Sequence, residues 1–171
     1  MTFLRDFTPT KAEGWKFETG GASSHATFIR TVVFPHIEKN YRASNERRPF
    51  IGHSLGGLLG SYILLTQPDM FSSYVIGSPS VWFDGNFILS VPAKTPHDPI
   101  SVYLSVGELE TPLHGEGQNM LSGAQALNEK LVALKHRDVN LRFLTIPHAT
   151  HETAFPTTAI QGLQWIYGIQ K

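Results

Sequence analysis

The sequence predicts an α/β fold, a three-layer sandwich with a short, mainly parallel sheet. Three features carry that expectation. Short runs of β-type residues alternate with longer stretches of helical periodicity, which implies right-handed crossovers and a sheet covered on both faces. One run, Phe50-Ile51, passes through Gly52-His53-Ser54-Leu55-Gly56-Gly57 straight into a helical pattern, the form of a strained elbow that projects a serine hydroxyl. Size is the third, because 171 residues bury one sizeable core and fall short of the length at which a chain divides.

Residues 1–23 read as a loop segment, with turn signals at Thr8-Pro9-Thr10 and Glu18-Thr19-Gly20-Gly21 around Trp15 and Phe17. Ser23-Ser24 caps a helix running to about Arg42, with Phe28, Ile29, Val32, Val33, His36, Ile37 and Tyr41 on one face and a kink at Pro35. Arg47-Arg48-Pro49-Phe50-Ile51 is a polar turn and a short buried strand, and the elbow helix carries Leu55, Leu58, Leu59, Tyr62, Ile63 and Leu65 as far as Gln67-Pro68-Asp69. Residues 73–77 form a compact strand, 82–99 a loop at the rim of the site, and 99–107 a longer strand. A helix near 122–136 turns Ala124, Leu127, Leu131 and Leu134 inward. After a strand at 140–146, a closing helix near 156–169 buries Ile160, Leu163, Ile166 and Ile169.

Fourteen basic residues balance fourteen acidic ones with no block of like charge, so neither nucleic acid nor an anionic membrane surface is the expected partner. A small uncharged or mixed-charge ligand fits better. Cysteine is absent, which excludes disulfides and thiol chemistry and suits a reducing cytoplasm. The first residues lack the apolar core of a signal peptide, and no run approaches the roughly twenty apolar residues that span a bilayer. The expectation is a soluble, cytoplasmic protein.

An elbow serine is a useful nucleophile only beside a base, and the base needs an acid to orient it; after such an elbow they follow in the order serine, acid, histidine. Two loops downstream qualify. Gly107-Glu108-Leu109-Glu110-Thr111 places two carboxylates at the end of one strand, and Pro147-His148-Ala149-Thr150-His151 places two imidazoles at the end of the next. His151, just before the final helix, is preferred to His148 as base, and Glu110, which reaches farther from its strand, to Glu108 as acid. The backbone N–H of Leu55 is the expected oxyanion donor. Trp15, Phe17, Trp82 and Phe83 are candidates to line an acyl or aryl pocket. His53 is expected to point into packing and His36 to sit in the core; His25, His97, His114 and His136 read as surface or loop residues. No histidine spacing resembles a zinc site, and neither metal nor cofactor is assigned.

In order along the chain, Arg5-Asp6-Phe7-Thr8-Pro9-Thr10, Gly20-Gly21-Ala22, Pro35-His36-Ile37-Glu38-Lys39-Asn40-Tyr41-Arg42, the elbow, Gly77-Ser78-Pro79-Ser80-Val81-Trp82, Val106-Gly107-Glu108-Leu109-Glu110 and His151-Glu152-Thr153-Ala154-Phe155-Pro156 resemble the esterase branch of the α/β-hydrolases. This branch includes esterase D-like enzymes and the trilactone esterases of siderophores. The resemblance implies Ser54 as nucleophile, His151 as base and an acid in the Gly-Glu-Leu-Glu segment. Members of the branch carry on the order of a hundred further residues at the front, with the first strands and half the oxyanion hole, although a domain of this length still folds without them. The expectation is therefore a single, N-terminally shortened α/β-hydrolase domain over 1–171. Its elbow strand would have an open edge shielded in a homodimer, and its second oxyanion donor would come either from residues 1–23, with the amides near Gly20-Gly21 as candidates, or from a partner subunit.

The function expected from these readings is hydrolysis of short-chain or aryl carboxylic esters, a small-molecule substrate, through an acyl-enzyme. The alternatives are a siderophore-lactone or thioester hydrolase with the same residues, and a non-catalytic remnant serving as a binding or assembly module.

Overall fold

The structure is a computed structural model that describes residues 2–44, 46–135 and 138–168; His136 and Ile169 lie outside the described residues. Residues 1–23 are more ordered than a loop reading implies. Helix α1 (Thr2–Phe7) is closed by Thr8, whose hydroxyl donates to Leu4 O at 2.6 Å and accepts from Gly20 N–H at 2.9 Å. Thr8, fully buried, thus ties both ends of the segment together. Helix α2 (Ala22–Phe28) starts ahead of the serine pair, with Gly21 as N-cap, because burial of Ala22 and Ala26 outweighs serine capping.

A wide π turn (Ile29–Val33) then leads into α3 (Phe34–Asn40), with Pro35 in its first turn, where the missing N–H breaks no helical bond. The extra residue in that turn splits the expected apolar face. Ile29 and Phe34 lean on the core, whereas Phe28, Val32, Ile37 and Tyr41 are 39–64% exposed. His36 is exposed too and is not a core histidine.

Beyond α3 the elements are β1 (Pro49–His53), α4 (Leu55–Thr66), β2 (Ser73–Gly77), a short turn α5 (Phe83–Asn86), β3 (Ile100–Gly107), α6 (Met120–Ala133), β4 (Val139–Ile146) and α7 (His151–Tyr167). The strands form one sheet in the order β1-β2-β3-β4, all parallel. Tyr74, Ile76, Val102 and Leu104 point to one face and pack with Leu58, Ile63, Leu127 and Leu131 of α4 and α6. Val75, Tyr103 and Ser105 point to the other and meet α7, giving the three layers.

β1 is an edge strand, and Ile51 is 37% exposed rather than buried. The segment 82–99 is more than a rim loop, since Phe83, Ile88 and Val91 enter the core. α7 begins five residues before Pro156 because Thr150 and Thr153 form a reciprocal capping box. Its inward face consists of the small residues Ala154, Thr158 and Gly162, and a Cβ at Gly162 would lie 2.7 Å from Val75 Cγ1. This close seating turns Ile160 outward, 68% exposed, where the sequence placed it inside.

The two elbow glycines are not equivalent. A Cβ at Gly52 would overlap the Gly56 carbonyl and lie 2.7 Å from the Phe50 ring, whereas one at Gly56 would meet nothing. Gly52→Ala is expected to lower stability by ~3 kcal/mol through overpacking, and Gly56→Ala to leave it unchanged or raise it by up to ~1 kcal/mol through helix propensity. Urea denaturation of the two variants side by side checks the contrast.

Candidate active site

Because all four strands are parallel, their carboxyl ends share one edge of the sheet, and the candidate residues leave from there. Ser54 joins β1 to α4 with φ 58° and ψ −119°, a conformation disfavoured for a residue with a Cβ. Backbone bonds hold it on both sides: Ser54 N–H donates to Gly77 O at 3.0 Å, while Ser54 O accepts from Leu58 N–H at 2.9 Å and from Ser80 N–H at 3.1 Å. Leu55 opens the twelve-residue helix α4, whose first N–H groups have no intrahelical acceptor and carry the positive end of the helix dipole.

Glu110 and His151 are brought together. Glu110 is completely buried, and its Oε2 lies 2.6 Å from His151 Nδ1. Its Oε1 accepts from Ser78 Oγ at 2.5 Å and from Gly107 N–H at 2.7 Å. Burial alone would favour the protonated acid, but these donors outweigh it and hold the carboxyl below its ordinary range. In return the bond to Glu110 raises His151 above the ordinary imidazole value, with burial opposing it. An anchored Nδ1–H leaves Nε2 of the same ring to accept a proton.

Glu108 and His148 form a separate pair at the surface. Glu108 Oε2 accepts from His148 N–H at 2.9 Å and lies 3.7 Å from its Nδ1, and the His148 side chain is 90% exposed. Their bond braces the turn in which His148 takes φ 57°.

Three groups at the site were given no chemical role by sequence reasoning. His53 does pack, as expected, but against His151 itself, with ring centroids 4.4 Å apart, and against Phe155 at 5.2 Å. Among the described residues neither of its ring nitrogens has a well-formed hydrogen-bond partner. Burial first, and the nearby His151 second, lower its pKa, which favours the neutral ring beside His151. Ser78 and Ser80, from one tripeptide after β2, touch the acid and the serine respectively; Ser80 Oγ lies 3.4 Å from Ser54 Oγ. The sequence marked them only as part of Gly77-Ser78-Pro79-Ser80-Val81-Trp82, one of the segments of the family resemblance, and gave neither serine a role.

The aromatic candidates divide. Phe83 is a core residue, 1% exposed. Trp15 stacks on Trp82 with centroids 5.9 Å apart and planes 14° from parallel, and its face remains 37% exposed. Phe17, 41% exposed, lies under Lys16 Nζ. The Gly20 and Gly21 amides are not free for an oxyanion, because they donate to Thr8 Oγ1 and Arg5 O.

A family model described as "Putative esterase" matches residues 6–154. The ferri-bacillibactin esterase BesA of Bacillus subtilis is 33% identical over 94% of this chain and 60% of its own length. The apo-salmochelin esterase of Escherichia coli is 28% identical over 88% of this chain and 48% of its own. Among solved structures, the BES protein from Bacillus cereus superimposes with a TM-score of 0.81 at 31% identity, covering 96% of this chain and 63% of that one. The chain thus spans at most about two thirds of the relatives it matches.

The opposite shifts of the two contacting imidazoles are directly measurable. In an NMR pH titration, His151 is expected to titrate above, and His53 below, the ordinary imidazole value, and Glu110→Gln to move His151 downward.

Proposed function

The chain belongs to this esterase family of the α/β-hydrolases, and we propose that it hydrolyses carboxylic esters with Ser54 as nucleophile, His151 as general base and Glu110 as the orienting acid. The observation that carries this reading is the 2.6 Å bond between buried Glu110 and His151, whose ring packs at a tilt against His53, the residue preceding the elbow serine. In the first half-reaction Ser54 Oγ bonds to the carbonyl carbon as its proton passes to His151 Nε2. Glu110 stabilises the resulting imidazolium, and the Leu55 N–H stabilises the negative charge on the former carbonyl oxygen. His151 then protonates the departing alcohol, and a water that gives its proton to the same nitrogen releases the acid.

Short-chain and aryl esters are the substrates we favour, with the stacked Trp15 and Trp82 as an aromatic shelf two residues from Ser80. A second reading, siderophore lactones, is supported by relatives named as esterases of ferri-bacillibactin and apo-salmochelin. We also read the chain as a cytoplasmic homodimer. The absence of cysteine supports the compartment. The outer edge of β1, which no other strand pairs among the described residues, supports the dimer.

A fluorophosphonate is expected to add one covalent mass to the wild type and none to Ser54→Ala, with p-nitrophenyl acetate hydrolysis lost in the variant by ~1000-fold or more. A wild type that neither reacts nor turns over would indicate a binding module instead. Rates on p-nitrophenyl esters and on a cyclic trilactone rank the two substrate readings. Velocity sedimentation at high concentration is expected to give a dimer, and a monomer there would remove that part of the proposal.

A further inference from the structure

The Ser80 side chain has no evident task in packing, since it is small, polar and 1% exposed. Among the described residues its hydroxyl has a single hydrogen-bond partner, Ser54 Oγ at 3.4 Å. Its position is fixed from several directions. Ser80 N–H donates to Ser54 O at 3.1 Å, Ser80 O accepts from Phe83 N–H at 3.1 Å, and Ser78, two residues earlier, holds φ 40° while its own N–H donates to Ser105 O at 2.7 Å. Pro79 between them is close-packed, lying 3.0 Å from where a Cβ on Gly57 would stand.

A hydroxyl carries one hydrogen and two lone pairs, which decides the direction of the bond. If Ser54 donated to Ser80, the Ser80 hydrogen would be buried without an acceptor, a cost that native structures avoid. If Ser80 donates, its hydrogen is satisfied and the Ser54 hydrogen stays available to the base. We propose that Ser80 is a positioning residue that donates to Ser54 Oγ and so directs the Ser54 hydrogen toward His151. The inference rests on the serine-hydrolase reading above.

During attack the Ser54 O–H bond breaks, its proton goes to His151 Nε2, and Oγ forms the bond to the carbonyl carbon. The Ser80 O–H bond stays intact throughout. Its hydrogen bond strengthens as charge gathers on Oγ at proton transfer, and again when Oγ departs in deacylation. Ser78 plays the matching part at the other end, so one tripeptide after β2 sets the hydroxyl and the carboxylate together.

The test is the rate of phosphonylation by a fluorophosphonate, with kcat and KM on p-nitrophenyl acetate across pH, in the wild type, Ser54→Ala, Ser80→Ala and Ser80→Thr. Ser80→Ala is expected to slow phosphonylation and lower kcat by about tenfold, the loss of one hydrogen bond to a charged group. KM and the position of the acid limb should not move, because no group facing His151 is altered, and Ser80→Thr should recover most of the rate. Wild-type rates in Ser80→Ala, or a loss confined to KM, would overturn the inference while leaving the labelled Ser54 in place. A wild type as inert as Ser54→Ala would remove the hydrolase reading and this inference with it.

Discussion

The ionised carboxyl of Glu110 is the constraint on which the site depends. A charge with no solvent exposure is tolerated only when hydrogen-bond donors or an opposite charge surround it, and breaking such an arrangement by removing one partner is far more costly than never having formed it. The donors come from three elements: Ser78 after β2, Gly107 N–H at the end of β3, and His151 at the start of α7. One buried ion therefore fastens the ends of neighbouring strands and fixes where the imidazole lies. The surface pair Glu108 and His148 has nearly the same spacing along the chain and the same chemistry. With side chains 49% and 90% exposed, it is screened by water and braces only a turn.

Strain is concentrated beside that ion. Ser54 and Ser78, at the ends of adjacent parallel strands, both hold positive φ, each at a cost of about 1–3 kcal/mol. The cost is sustained because the two turns are tied to each other and to the sheet. Ser54 N–H bonds to Gly77 O, Ser78 N–H to Ser105 O, and Ser80 N–H returns to Ser54 O. Neither turn can relax alone. Gly52 is the sequence requirement behind this, since only without a side chain can the Gly56 carbonyl come so near.

What was legible in the sequence follows from the range of the forces involved. Strands β2 and β3 stood out because residues buried on both faces read as largely continuous apolar runs, and β4, at the sheet's edge, because exposed Asn140 and Arg142 alternate with half-buried apolar residues. The elbow stood out because its backbone geometry demands glycine locally. Preferring Glu110 and His151 over their neighbours used only loop position, and their pairing rests on burial, which no local pattern encodes. The helix of residues 1–23 was hidden because the groups that close it, Thr8 with Gly20 and Arg5 with Gly21, are far apart in sequence. Ile160 was misplaced for a related reason. The inward face of α7 is small rather than apolar, and small residues there express the closeness of Val75 and Tyr103 rather than hydrophobic periodicity.

The open edge of the sheet is bound up with the site through one residue. Ser54 N–H bonds to Gly77 of β2 and Arg48 O accepts from Ser72 just ahead of it, so in a parallel ladder Phe50 and Gly52 face β2 as well, while Pro49, Ile51 and His53 direct their backbone groups outward. Pro49 has no N–H, which leaves only the amides of Ile51 and His53 as outward donors and blunts the edge where β1 begins. The end that is not blunted is the end at the elbow. His53 thus offers its main chain to whatever pairs with β1 while its side chain packs against His151. A strand docked on that edge would bear on the residue that backs the imidazole, so the covering of the sheet and the alignment of the His151 ring are set at the same position.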